Sequence, residues 1–248
     1  MVETAQVDLT PALEVARTAA VQQAPNGICY ASFGQTQLPS LDLDRIVQAV
    51  PQTIAAALGR KAYYFVPLTI GETNETLIAP DYTTELSDRA VCHRNVPFNG
   101  AECIFISTRL MHDRFALAFE FFINVGHHFV DAAGVPESFS SLAWAQANAN
   151  VRGETSQDAW EHRKLALESR ERVVDEKARI QYLEAAFSDA IAIYLLSLTV
   201  DFDYSELRER EYPLLAPQPL AERLRSIAEI FPPNAGFEFA IRYRRRNS

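Results

Sequence analysis

The hydrophobic and polar positions from Phe115 to Asp131 repeat with the period of an α-helix. Four polar residues are spaced so that they share one face of that helix: Glu120, Asn124, His127 and Asp131. The opposite face carries an apolar stripe: Phe115, Ala118, Phe122, Val125 and Phe129. More apolar residues lie between these faces, so the pattern predicts a helix that is buried almost all round. Because unpaired buried polar groups are costly, the polar face must meet a cleft or partners inside the protein.

The chain before this helix carries the patterns of a small sheet and one helix. Aromatic and β-branched runs between turn residues predict short strands at Tyr30 to Phe33, Ala62 to Ile70, Glu75 to Pro80, Arg89 to Arg94 and Cys103 to Ser107. Pro67 indicates an edge position or a bulge in the second of these strands. Apolar residues recur at helical spacing from Asp42 to Leu58, and Pro51 should kink that helix.

The core helix should cover roughly Met111 to Ala133, and the chain beyond it is predicted to be mainly helical. Small residues without a clear period predict a loop or lid at Pro136 to Asn150. A long helical pattern then runs from Gln157 to about Thr199, with a break near Val173 to Asp175. The first half of that pattern is densely charged, which is typical of a solvated helix.

The second half of this pattern should be buried, because it is apolar apart from Glu184, Ser188 and Asp189. An amphipathic helix, Pro217 to Phe231, and a closing strand, Phe237 to Tyr243, are predicted to follow. The elements together predict an α+β protein in which a small, mostly antiparallel sheet packs on long buried helices. We expect a single domain over residues 1–248, with its core at about 42–200 and a C-terminal helix and strand appended over 201–248.

Composition and charge narrow the classes of function. The 48% of hydrophobic residues among 248 is enough for a sizeable core and gives no sign of disorder. A net charge of −9 argues against a nucleic-acid-binding protein, which needs a basic face. The one basic cluster, Arg242 to Arg246, is expected to be a solvated chain end.

The cysteines and the apolar runs bear on location. Cys29, Cys92 and Cys103 have no metal-type spacing, and their odd number favours reduced thiols. The N-terminal residues lack the long apolar region of a secretory signal. No run approaches the roughly 18 apolar residues that suggest a membrane span. These patterns predict a cytoplasmic protein with no membrane partner.

Several short stretches around the core helix carry a resemblance to a known family. They are a strand, a basic residue and two parts of the helix: Ile104-Phe105-Ile106-Ser107, Arg114, Phe115-Ala116-Leu117-Ala118 and Gly126-His127-His128-Phe129. In these stretches of sequence the chain resembles the ImmA/IrrE-type metallopeptidases, which are small zincins. Glu184-Ala185-Ala186-Phe187 is similar to a later helix of that family, whose glutamate is the third zinc ligand. The resemblance spans about residues 100 to 200 and implies a zincin-like fold.

The zincin motif HExxH is degenerate in this chain. That motif places two histidines on one side of a helix to bind zinc, and the glutamate between them activates the bound water. If Gly126-His127 sets the register, Ile123 replaces the first histidine and Asn124 the catalytic glutamate. If the Ala116 to Ala118 stretch sets it, Glu120 takes the catalytic position but Phe119 and Ile123 replace both histidines. Neither register leaves a working peptidase site.

Three interpretations remain open. The first is a zincin-like fold that has lost metal and activity, with Asn124 lining the cleft. The second is an active metal-dependent hydrolase with a rearranged site, in which His127 or His128 joins Asp131 and Glu184. One histidine and two carboxylates suit zinc or another divalent transition metal, with Glu120 as the general base. The third is a structural or oligomeric module whose polar residues form an internal hydrogen-bond network.

The first interpretation predicts an inactive, peptide-binding or regulatory protein that needs no cofactor. A peptide or protein partner would bind along an edge strand near Cys103 to Ser107. Glu184, in its apolar surroundings, is expected to be buried beside a protonated histidine or another cation. Arg94 or Arg114 is a possible partner for Glu120. The sequence leaves the oligomeric state open.

Overall fold

The computed structural model describes residues 8–34, 39–81, 89–109, 113–167, 174–202, 204 and 212–241. The start predicted for the core helix at Met111, the predicted break at Val173 and the basic cluster Arg242 to Arg246 lie outside these residues. The architecture is α+β, as the sequence predicts. Contacts divide the chain into two compact units, residues 1–121 and 122–248. The prediction of a single domain therefore stays a prediction, and each unit is described by itself.

The first unit contains two small sheets and three short helices among its described residues. Its strands are β1 (Thr10–Pro11), β2 (Gln22–Gln23), β3 (Cys29–Ser32), β4 (Lys61–Val66), β5 (Leu68–Ile70), β6 (Thr76–Ile78), β7 (His93–Phe98) and β8 (Ala101–Ser107). Its helices are α1 (Ala12–Thr18), α2 (Ser40–Gln48) and α3 (Gln52–Ala57). The predicted kink at Pro51 is a complete break, because Pro51 precedes the first residue of α3 and has no N–H to continue α2.

The larger sheet has the order β2-β3-β4-β8-β7, and the smaller has the order β1-β6-β5. Antiparallel pairing predominates, as expected, but β3, β4 and β8 are parallel at the centre of the larger sheet. Parallel strands need a long crossover connection, which α2 and α3 supply between β3 and β4. In this register Cys29 of β3 and Cys103 of β8 both pair with Ala62, one on each side of β4.

Each face of the larger sheet is covered within the first unit. On one face Tyr64 stacks on Phe105 at 4.9 Å, in a cluster that includes Val15 of α1. On the other face Tyr63 lies edge-on to Phe121, with ring centroids 5.0 Å apart. Phe121 belongs to α4 (Arg114–Ala133), the predicted core helix. The alternation of side chains along β4 therefore gives it two buried faces.

The second unit is helical. After the last part of α4 come α5 (Glu137–Asn148), α6 (Gln157–Leu167), α7 (Glu176–Thr199) and α8 (Pro217–Ile230). The loop or lid predicted at Pro136 to Asn150 is wrong, because α5 occupies it and buries Phe139 and Ala143. The closing strand is also wrong over 237–241, where the described residues form no strand.

The predicted burial of α7 is confirmed over most of its length. Its apolar residues pack inside the unit, and Gly126 of α4 approaches it so closely that an added Cβ would lie 2.6 Å from the carbonyl oxygen of Ser188. Among the described helices α7 alone is long and apolar enough to cross a membrane, but 78% of that stretch is buried within the protein. A core helix of a soluble protein passes the same test of length and composition, so the evidence for a span is weak.

Candidate functional site

The predicted polar face of α4 divides into buried and exposed residues. Asn124 is buried, Glu120 is half-buried, and both His127 and Asp131 are exposed. His128, the neighbour of His127, is buried. The helix therefore presents only part of its predicted polar line to solvent, and the histidine that faces outward is His127.

Glu120 pairs with a histidine of the sheet. Its Oε1 lies 2.5 Å from Nδ1 of His93, the first residue of β7. The Glu120 side chain is 19% exposed and that of His93 is 45% exposed. Arg94 instead donates to the carbonyl oxygen of Asn74. Either protonation state of His93 can serve this pair, as a neutral Nδ1–H donor or as an imidazolium.

The predicted alternative partner Arg114 also points elsewhere. Its Nη1 lies 3.3 Å from Oδ1 of Asp42. Besides its contact with His93, the carboxylate of Glu120 affects the pKa of the Cys92 thiol, which lies immediately before β7. Burial raises the pKa of Cys92, Glu120 raises it further, and a hydrogen bond from Arg109 lowers it. The thiol therefore stays protonated near neutral pH, so Cys92 is a poor nucleophile.

The structure does not assemble the predicted metal site. Glu184 is exposed, so the prediction that it is a buried carboxylate beside a cation is wrong. Glu184 and Asp189 differ by five positions, or about 140° around a helix, and it is Asp189 that is buried. In the described part of the chain, no three His, Cys, Asp or Glu side chains are grouped so that they could hold a metal ion. The residues implied by the zincin resemblance therefore do not fit a zinc ion.

The buried charges of the second unit converge on Glu154. Its Oε2 accepts a hydrogen bond of 2.9 Å from Nη1 of Arg223, and its Oε1 accepts one of 3.1 Å from Nη1 of Arg163. The hydroxyl of Tyr182 donates to the same Oε1 at 3.0 Å. Arg223 Nε also donates to Oε1 of Gln146 at 2.8 Å. We call these five residues the Glu154 cluster.

Local backbone geometry places Glu154 at this centre. The preceding Gly153 has a φ of +80°, and a Cβ there would lie 2.0 Å from the carbonyl oxygen of Leu214. Only glycine permits this approach. The amide of Glu154 then donates to the carbonyl oxygen of Pro213, and the amide of Leu215 donates to that of Glu154. The segments 151–156 and 212–216 are thereby joined beside the cluster.

Electrostatics within the Glu154 cluster favour its ionised form. Burial by itself lowers the pKa of Arg223, but the charges of Glu154 and Tyr182 and the hydrogen bonds to them together outweigh that effect, so the pKa of Arg223 is raised. Burial raises the pKa of Tyr182, so its hydroxyl remains a donor. One carboxylate is thus matched by two guanidinium groups, and its oxygens are satisfied by hydrogen bonds.

Asp189 is the second buried carboxyl group of this unit. Burial raises the pKa of Asp189 to about 6, although hydrogen bonds from Ser156 and Thr155 act in the opposite direction. The Thr155 hydroxyl donates to Oδ2 at 2.8 Å. Asp189 therefore differs from Glu154, because hydroxyl groups rather than cations are its hydrogen-bond donors among the described residues.

Sequence reasoning missed His93 and the Glu154 cluster. A lone histidine at the start of a strand carries no spacing signal, and its partner Glu120 is 27 positions away. Glu154 lies between two helices with nothing local to mark it, since Arg223 follows it by 69 positions. The adjacent Gly153 does not mark it either, because its positive φ could not be foreseen from its neighbours.

Comparisons with known proteins add no family to this picture. No family model matches the chain, and no match was found among curated proteins or among solved structures.

Proposed function

We propose that this chain is a metallopeptidase-like protein without catalytic activity, which acts in the cytoplasm by binding an extended peptide. The observation that carries the proposal is the position of β7, which is the last strand of the larger sheet among the residues that the structure describes. Its side chains alternate between exposed and half-buried along all six residues. An extended peptide can add to such an edge as a further strand.

The edge that we propose differs from the strand that the sequence suggests. Strand β8, which contains Cys103 to Ser107, lies between β4 and β7 and is not an edge. The amide of Ser107, at the end of β8, donates to the carbonyl oxygen of Cys92, immediately before β7. Alternate residues of β7 from Arg94 onward therefore turn their backbone groups toward β8. The backbone groups of His93 and Asn95 therefore point to the outer side. Pro97 has no N–H, so it cannot donate a backbone hydrogen bond to an added strand.

Selection of peptides tests the proposal directly. Random-sequence peptides displayed on phage would be selected against the protein, and their affinities measured by fluorescence anisotropy. We expect Asn95→Pro to weaken binding by about tenfold, because it removes an outward N–H and adds a ring at the edge. Asn95→Ala keeps the backbone N–H and should bind within about twofold of wild type. Unchanged binding by Asn95→Pro, with its circular dichroism intact, would refute the edge-strand site.

Elemental analysis separates this proposal from the metal-dependent hydrolase. We expect neither wild type nor His127→Ala to retain a transition metal after purification and incubation with zinc. Stoichiometric metal in wild type that is lost in His127→Ala would favour the hydrolase instead.

A second candidate function uses His127 without a metal. His127 is exposed, with Asp131 exposed one turn further along α4, while His128 and Asn124 are buried. Imidazole accepts and donates protons near neutral pH, so His127 can act as a general base toward a hydroxyl, an amine or water in a group-transfer reaction.

Hydrolysis of p-nitrophenyl acetate distinguishes this candidate. If His127 is a general base, His127→Ala should lower the protein-dependent rate by about 100-fold or more. His93→Ala is the matched control, because His93 belongs to the Glu120 pair and should leave this rate unchanged. Equal rates for wild type and His127→Ala would exclude the second candidate and leave the peptide-binding proposal untouched.

A further inference from the structure

Asp189 joins a helix to a loop segment, because two hydroxyl groups of the segment donate hydrogen bonds to its carboxyl group. Asp189 lies on α7 and is 5% exposed. Thr155 and Ser156, from the segment 151–156, both donate to its carboxyl group. Ser156 also accepts the backbone N–H of Ala159 at the start of α6. The carboxyl group of Asp189 therefore fixes both this segment and the beginning of α6.

The charged and titratable groups that face Asp189 come from several elements. They are Glu154 of the same segment, Arg223 of α8, and the tyrosine Tyr204. The hydroxyl of Tyr212 donates to the carbonyl oxygen of Thr155 in the same segment. Arg223 is hydrogen-bonded to Glu154 and Tyr182, and Glu154 repels a charge on Asp189.

Burial and the charge of Glu154 favour neutral Asp189, whereas the two hydroxyl donors and the charge of Arg223 favour its carboxylate. Burial is the largest of these effects, because a buried carboxylate without a cation of its own is costly. Among the described residues no Lys, Arg or His forms a salt bridge with Asp189. Water can supply the missing stabilisation only if the segment 151–156 moves away from α7.

We propose that Asp189 is a proton-controlled latch, which holds the segment 151–156 against α7 when neutral and favours its release when ionised. The segment 212–216 would open with it, since the amides of Glu154, Leu215 and Ala216 form the hydrogen bonds that join the two segments. This pH response is independent of peptide binding at β7 and goes beyond the proposed function.

The sign of the response follows from the raised pKa of Asp189. The latch is fully closed below the ordinary carboxyl pKa of 3.8, where both closed and open states are protonated. It weakens as pH rises through about 6, where the closed state ionises. With these two values, opening becomes about tenfold more frequent between about pH 5 and about pH 7.5.

Native-state hydrogen exchange measures this opening at single amides. We expect protection of the amides of Glu154, Leu215 and Ala216, corrected for intrinsic exchange rates, to fall about tenfold over that pH interval. In Asp189→Asn, which keeps the shape and cannot ionise, protection should be independent of pH. The amide of Ser107 in the first unit is an internal control that should not respond.

A surface variant and an NMR titration serve as controls for this experiment. Asp158→Asn changes an exposed aspartate of α6 and should exchange as wild type does. If Asp189→Asn fails to fold, an NMR titration of the Asp189 carboxyl carbon in wild type replaces it, and its midpoint should coincide with the loss of protection. Protection that is flat with pH in wild type, or that falls equally in wild type and Asp189→Asn, would overturn the latch.

Discussion

Glu154 is the buried charge on which two arginines of the second unit converge. Its carboxylate is fully buried and forms salt bridges with two buried guanidinium groups. We predict that Glu154→Gln lowers the free energy of unfolding by about 3–5 kcal/mol, because Arg163 and Arg223 would remain buried without their counter-charge. A urea titration at neutral pH measures the loss.

Glu184→Gln is the matched control for this prediction. Glu184 is exposed on α7, so the same substitution there should change stability by no more than about 0.5 kcal/mol. Equal effects of the two substitutions would mean that the Glu154 cluster contributes no more than an ordinary surface charge.

Sequence patterns predict the burial of individual residues least well, and the reason is physical. A periodic pattern assigns residues to faces but does not say which face meets a partner from elsewhere in the chain. Glu184 and Asp189 lie on different sides of one apolar helix, and only packing decides that Asp189 is inside. For α4 the pattern correctly marks Asn124 as a polar residue with a buried side chain. It does not separate exposed His127 from buried His128.

At the scale of elements, the beginning of α7 is fixed by a side-chain cap. The carboxylate of Asp175 accepts the backbone N–H groups of Lys177 and Ala178 at 3.0 and 3.1 Å. We predict that Asp175→Ala costs about 1 kcal/mol, since it leaves these amides without that acceptor. Asp175→Asn retains an acceptor oxygen and should recover most of the loss in a thermal melt. An Asn variant as unstable as the Ala variant would contradict a capping role.

The crossing of α4 and α7 depends on one glycine. A Cβ at Gly126 would lie 2.6 Å from a backbone oxygen, which cannot rotate away as a side chain can. We predict that Gly126→Ala lowers the free energy of unfolding by about 1–3 kcal/mol, despite the better helix propensity of alanine. Chemical denaturation of the variant measures this change.

Gly59→Ala controls for the general effect of replacing glycine. The nearest atom to a Cβ at Gly59 is 3.6 Å away, so this variant should be neutral or gain up to about 1 kcal/mol. A stable Gly126→Ala variant would show that the two helices can separate without cost.

The elements that sequence reasoning found are those with a strong local signal. Strand β8 has a β-branched and aromatic run after a turn, and α8 has a clear apolar stripe. Helix α5 was missed because its small residues hide the spacing of Phe139 and Ala143. The parallel centre of the sheet could not be predicted either, since strand patterns do not specify strand direction.

At the scale of the whole molecule, the two compact units offer separate spectroscopic probes. Both tryptophans, Trp144 and Trp160, belong to the second unit, whereas buried Cys103 belongs to the first. We predict that Glu154→Gln lowers the urea midpoint of tryptophan fluorescence by about 1–2 M and leaves the alkylation midpoint of Cys103 unchanged. The second value would be read by mass spectrometry after a short alkylation pulse. Equal shifts of both probes would instead support the predicted single domain.

The register of the larger sheet also determines how the protein would behave under oxidation. Cys29 and Cys103 face each other across β4, so two strand spacings, roughly 10 Å in all, separate their backbones. A disulfide needs Cα atoms within roughly 7 Å, so the intact sheet keeps these thiols apart even in an oxidising medium. A Cys29–Cys103 disulfide found in aged protein would therefore show that the strands of this sheet had separated before the bond formed.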